Sequence, residues 1–187
     1  MRKQEIVKLL PLKTERTIIR QPTMEDADMI QKAKEDRETD LRRWMSWTDD
    51  HGMSREGLEE WLKLQSENSP LLGLIALDKK TGDYIMSSGL DGEDENFSTV
   101  HSGYWMTKSY EGKGIAFEVM TRIIDFAFNT AGIERVEMAY YEGNIRSRNL
   151  MERLGLTHNK TEPKAHTSHL TGEKLDVYWY SISKTEK

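Results

Sequence analysis

The chain has 187 residues, a length for one domain, and a net charge of −5. With no cysteine it has no disulfide framework, thiolate metal site or cysteine nucleophile, and a pI near 5.6 argues against a general nucleic-acid binder. No apolar run reaches the roughly 18 residues of a membrane span, and the N-terminal MRKQEIVKLLPLKTER lacks an apolar stretch of signal-peptide length. The expectation is a cytoplasmic protein with no membrane or nucleic-acid partner. Leu, Ile, Val and Phe make up only about a fifth of the chain, near the line where disorder begins. Five Trp, seven Tyr and ten Met are therefore expected to complete the core.

In chain order, residues 15–21 (ERTIIRQ) read as a strand that Pro22 ends, and Thr23 caps a helix over 24–35 with acids in its first turn. Residues 37–52 read as a short helix followed by a loop, polar except for Trp44, Met45 and Trp47. Ser54 opens a helix through Asn68, with Leu58, Trp61, Leu62 and Gln65 at helical spacing. The period then falls to two. LLGLIALD (71–78) and YIMSSGLDG (84–92) form a hairpin around TGD, and 93–96 is a polar turn. One strand, STVHSGYWM, fills 98–106, and a loop follows at 107–113. The helix after it puts Ile115, Val119, Ile123 and Phe126 on one face, and Gly132 ends it. A strand over 134–141, a helix from Asn144 to Gly155 and closing strands at 156–161 and 175–183 complete the chain. Residues 162–174 read as a polar loop. Antiparallel strands leading into a strand–helix–strand crossover imply an α/β (mixed α+β) fold. Its central sheet is mixed and mostly antiparallel, with helices on both faces.

The stretch YWMTKSYEGKGIAFEVM carries the chemistry. A strand ends near Met106, glycines stand at 112 and 114, and a long amphipathic helix starts at once. Glycine admits positive φ and lets backbone amides approach a ligand, and a helix N-terminus offers unpaired N–H donors. A diphosphate suits this geometry, and Lys113 adds positive charge. Neither the Walker loop nor the dinucleotide fingerprint fits, because Phe117 stands where the third Gly of the latter would be.

This stretch resembles the acyl-CoA loop of the GNAT acetyltransferases, [QR]-x-x-G-x-[GA]. Glu111-Gly112-Lys113-Gly114-Ile115-Ala116 fits five of its six positions, with Glu111 in place of Gln or Arg. Asn144, Ser147, Leu154 and Gly155 follow the family's downstream spacing. GYWM, the Trp44/Trp47 pair, the opening LKTERTIIRQPTMEDADMI and the ending LTGEKLDVYWYSI narrow the likeness to the RimJ/RimL-like branch. It covers roughly residues 12–183 of a single domain spanning 1–187. The resemblance implies an enzyme that moves an acetyl group from acetyl-CoA to a primary amine, without a metal. The amine would be a protein N-terminus or a small molecule, and the family often forms homodimers.

By that resemblance, residues 111–116 hold the diphosphate, and a carboxylate at Glu111 is expected to repel it mildly. Asn144 holds the pantetheine arm, besides being a natural N-cap. A backbone amide around Trp105–Met106 stabilises the oxyanion. The position of the usual tyrosine acid is Met151, so Ser147 is its RimL-like substitute. His101 replaces a common Glu and is the candidate base, against a plain reading as a solvent-facing histidine of an edge strand. His169 is a weaker candidate. Tyr140 faces the acetyl group or simply packs. Trp44 and Trp47 wall the acceptor site or anchor a helix–loop joint. A non-catalytic acyl-CoA sensor and a nucleotide-phosphate binder stay open as alternatives. Charge divides unevenly: residues 1–100 carry −6 and residues 101–187 carry +1. The proposed CoA half thus avoids the charge that would repel phosphates.

Overall fold

The computed structural model describes residues 3–66, 71–92 and 98–186. Within them, nine strands form one sheet. They are β1 (Leu12–Lys13), β2 (Thr17–Arg20), β3 (Leu71–Asp78), β4 (Tyr84–Gly92), β5 (Thr99–Ser102), β6 (Tyr104–Met106), β7 (Arg135–Tyr141), β8 (Thr157–Thr167) and β9 (Lys174–Ser183). Their order is β1-β2-β3-β4-β5-β7-β9-β8, and β6 runs on along β4. Only β5 and β7 pair in parallel. The sheet is mixed and mostly antiparallel, as expected.

Alternation along the strands divides the core in two. Leu72, Leu74 and Ala76 of β3 point to one face, together with Met86, Val100, Val136 and Met138. There they meet α6 (Ile115–Asn129) and α7 (Ile145–Arg153) through Val119, Ile123, Phe126, Leu150 and Met151. Ile75 points to the other face. It meets α2 (Ala27–Glu35) and α5 (Arg55–Ser66) through Ala27, Ile30, Leu58 and Leu62. Helices therefore cover both faces.

Several boundaries differ from the sequence reading. An N-terminal helix, α1 (Lys3–Val7), buries Ile6 completely, and β1 pairs with Ile18 and Ile19. The 37–52 segment holds two helices, α3 (Glu38–Trp44) and α4 (Asp50–Met53); the Asp49 carboxylate caps the second by accepting from the Gly52 amide. The expected polar loop at 162–174 is mostly strand, because β8 continues to Thr167 around a bulge that accommodates Pro163. As an outer strand exposed along nearly its whole length, β8 carries no hydrophobic alternation to betray it. Residues 67–68 at the expected end of α5 and the polar turn at 93–96 lie outside the described residues. Tyr84, Tyr140, Tyr180 and several methionines are buried in the core as expected, whereas no tryptophan is fully buried and only Trp61 and Trp105 pack against it, on the α2–α5 face.

Lys34 of α2 is buried at 2 % exposure. Its Nζ donates to the carbonyls of Gly52 (2.8 Å) and Ser54 (3.2 Å). Burial pushes its pKa down from 10.5 to about 8. Between these values the unfolded chain holds a proton that the native state has released, so stability rises with pH across that window. We expect the urea midpoint to report about 2 kcal/mol more stability at pH 9.5 than at pH 7. Lys34→Met should flatten this rise. Above pH 10 the buried phenols of Tyr84 and Tyr104, both raised by burial, pull the opposite way.

Candidate active site

The site begins at an interrupted strand. Residues 98–106 read as one strand, but the structure breaks it at Gly103 into β5 and β6. β5 pairs with β7 only as far as Ser102 and Met138. Beyond that point β6 follows β4, β7 follows β9, and the two part. At the break, side chains replace ladder bonds: the Ser88 hydroxyl donates to the Gly103 carbonyl and the Ser102 hydroxyl to the Gly89 carbonyl, each at 2.8 Å.

Ladder parity shows what faces the gap. Thr107 donates its amide to Ile85, so in the antiparallel alternation the Trp105 amide also turns to β4. The amides of Tyr104 and Met106 then turn to the gap. On the facing bank, Glu142 donates to Asp176, which turns Ala139 and Tyr141 toward the opening. Of the Trp105–Met106 pair expected to supply an oxyanion donor, only Met106 aims its amide there.

The glycine loop lies at one end of this gap. Gly112 (φ 72°) and Gly114 (φ 74°) are left-handed, and Gly114 is the N-cap of α6. A Cβ at Gly112 would meet no atom within 4 Å, and one at Gly114 only the Arg16 guanidinium at 3.9 Å. These positions therefore demand glycine for φ, and their outer face is open to a ligand. Beneath the loop, Arg16 donates to the Lys113 carbonyl (2.8 Å) and to Glu118 of α6 (2.6 Å). With that carbonyl held below, the amides at the start of α6 remain for an anion. The residues present fit a diphosphate.

Glu111 corrects the expected repulsion. Its carboxylate pairs with Arg37, at the start of α3, at 2.6 Å and with Arg146 of α7 at 2.9 Å. Its charge is matched from two directions, and the bridge ties the loop to both flanking elements. Neither arginine is near Glu111 in sequence, so no local pattern announces the pairing.

Asn144 caps α7 by accepting the Ser147 amide at 3.2 Å. Ser147, in the first turn, is buried beside Tyr104. The phenol of Tyr104 is pushed up to about 12 by burial, which the neighbouring Ser147 hydroxyl partly offsets. Tyr104 was not among the residues singled out from sequence, because a strand tyrosine before a loop gives no sign of its partner. Met151 is buried at 1 %. Tyr140 stacks on Tyr178 (ring centroids 4.9 Å, 12° apart) and touches Tyr180 (5.8 Å), so it packs while lining the opening.

His101 lies on the opposite face from Ser147. β5 is an inner strand between β4 and β7, so His101 is not an edge-strand residue. Its Nε2 is 3.5 Å from Glu137, and its ring lies against Trp179 (5.1 Å) and opposite Asp91 of β4. His169 instead places Nε2 3.0 Å from the Ser46 carbonyl, where it ties the β8–β9 turn to the α3–α4 segment. Trp44 ends α3, and Trp47 sits 6.4 Å from Trp105.

One cavity of about 570 Å³ joins part of this site; its lining does not include Met106, the glycine loop or His169. It takes in Tyr140, Asn144, Ser147 and Met151 from the α6–α7 face. From the α2–α5 face it takes in Trp47, Trp105, Asp91 and His101. The gap between β6 and β7 is thus a passage through the sheet.

Residues 16–157 match the acetyltransferase (GNAT) domain family. The chain belongs to the GNAT acetyltransferases. This GNAT protein is 27 % identical over 177 residues to the uncharacterized N-acetyltransferase p20 of Bacillus licheniformis, covering 94 % of this chain and 97 % of the relative. Its fold matches the ribosomal-protein-S5-alanine acetyltransferase of Vibrio fischeri at a TM-score of 0.80 and 21 % identity, over 94 % and 97 % of the two chains. It also matches Mycobacterium smegmatis RimJ, solved in complex with a CoA disulfide, at 0.79 and 18 %, over 91 % and 83 %. As a GNAT protein it is an N-acetyltransferase, and no helix among the described residues is long and apolar enough to cross a membrane.

Proposed function

We propose that this GNAT protein transfers the acetyl group of acetyl-CoA directly to a primary amine within a ternary complex. The passage carries this reading: it lets a thioester threaded from the glycine loop meet an amine arriving from the opposite face. The diphosphate sits on the amides of Gly112 to Ala116, with Lys113 and Arg146 adding charge. Asn144 holds the pantetheine arm, and its cap bond leaves the side-chain N–H groups for that purpose.

In the transfer, the amine nitrogen attacks the thioester carbonyl, a C–N bond forms and the C–S bond breaks. The Met106 amide, aimed into the gap, stabilises the oxyanion. His101, held near Glu137, takes the proton that the attacking amine sheds. Ser147, beside Tyr104, gives a hydrogen bond and a proton to the leaving sulfur and takes a replacement proton from solvent, so the net step moves the proton that His101 accepts from the amine, through water, onto the thiol. Its raised phenol keeps Tyr104 protonated at neutral pH. Met151 has no proton to give. No covalent enzyme intermediate forms, which suits a chain without cysteine.

The test is thiol release from acetyl-CoA over a panel of small amines and N-terminal peptides, beside calorimetric titration with CoA. Release that depends on an amine is expected. CoA binding without turnover on any amine would replace this reading with that of an acyl-CoA sensor. Tighter binding of ATP or NAD than of CoA would replace it with a nucleotide-phosphate binder.

A further inference from the structure

All five tryptophans of the chain, Trp44, Trp47, Trp61, Trp105 and Trp179, line this cavity. Large indoles are rarely buried completely in any protein, so their partial exposure alone means little. Their convergence from α3, α5, β6, β9 and the loop after α3 is another matter. None of them is fully buried, and only Trp61 and Trp105 pack against the core. Their faces are continuous near the passage: Tyr84 lies 5.5 Å from Trp105, and Trp105 lies 6.4 Å from Trp47. Trp105 immediately precedes the residue whose amide faces the gap, so the aromatic surface begins beside the reacting centre. Trp179 extends it to His101.

The charged groups of the cavity are few. Among the described residues that line it, Asp91 is the one carboxylate, and it stands opposite His101. Lys34 is the one lysine or arginine, and it is occupied by the Gly52 and Ser54 carbonyls. An acidic acceptor would meet Asp91 here with no unoccupied lysine or arginine among the described lining residues to offset it. A flat apolar group would displace water from indole faces. A cationic amine would be drawn by Asp91, whereas Trp47, Trp44 and Trp179 already carry Lys34, Arg43 and Lys160 over their rings.

We propose that the acceptor is a small primary amine carried on an aromatic ring by a short alkyl arm. Its ring lies against Trp47 and Trp105, and its nitrogen enters the passage beside Met106, on the side that leads to Asp91 and His101. This inference rests on the acetyl-transfer reading above and narrows its acceptor.

The experiment compares kcat/KM, by thiol release, for tryptamine and 2-phenylethylamine against propylamine, ethanolamine and tetrapeptides beginning with Ser or Ala. The arylalkylamines should lead propylamine by about thirtyfold or more. Trp47→Ala should shrink that lead about tenfold, and Trp47→Phe should keep most of it. Trp47 is 39 % exposed, so its truncation does not open the core. Release led by propylamine, ethanolamine or the peptides would overturn the aromatic class and leave acetyl transfer standing. An arylalkylamine lead that Trp47→Ala leaves intact would overturn the assigned ring position. No release from any amine would overturn acetyl transfer and this acceptor with it.

Discussion

Gly114→Glu is expected to weaken CoA binding by at least about a hundredfold, a loss of about 2.7 kcal/mol. Gly114 has φ 74°, where a side chain costs roughly 1–2 kcal/mol of folding stability in free and bound protein alike, so the loss of affinity comes from the charge. The new carboxylate also stands at the N-terminus of α6, in the space left open for the diphosphate, and claims the same amides. The helix itself tolerates a negative charge at that end, so a folded protein should be recovered. Isothermal titration with CoA measures the effect. Gly114→Ala, which keeps the strain without the charge, should retain most of the affinity. Unchanged affinity in the Glu variant would remove the loop from its assigned role.

His101→Ala is expected to lower kcat by about 10²- to 10⁴-fold, the range for loss of a general base. CoA affinity should hold, because His101 lies across the sheet from the glycine loop. A variant that keeps the wild-type kcat would clear His101 and turn attention to a water chain leading to Asp91.

How much of this was legible in the sequence depends on the range of the interaction. Local signals read well. The Gly112–Gly114 loop, the α6 stripe and the Asn144 cap each rest on residues within four positions of one another, and each stands where expected. The break at Gly103 left no trace. Val100, Ser102 and Tyr104 keep to one face and His101 and Trp105 to the other, as they would in an unbroken strand. The period survives while the partner strand changes. The bridge from Arg37 through Glu111 to Arg146 spans 109 residues, and only the fold brings its members together. The tryptophans misled for a related reason. Composition counts them as core, whereas their place on a cavity wall follows from which elements surround the gap.

The opening between β6 and β7 also bears on when the protein is most stable. Folding leaves the sheet unfinished at its centre, with the amides of Tyr104 and Met106 lacking a strand to receive them. The pantetheine arm of acetyl-CoA carries amide carbonyls, and an arm lying in the gap can act as the missing strand. Ligand occupancy and thermodynamic stability are then linked: a co-substrate at a hundred times its Kd adds about 2.7 kcal/mol to the folded state. The serine hydroxyls at the break tie β5 and β6 to β4 rather than to β7. The active site is in this sense a folding step that the enzyme defers to its co-substrate at every turnover.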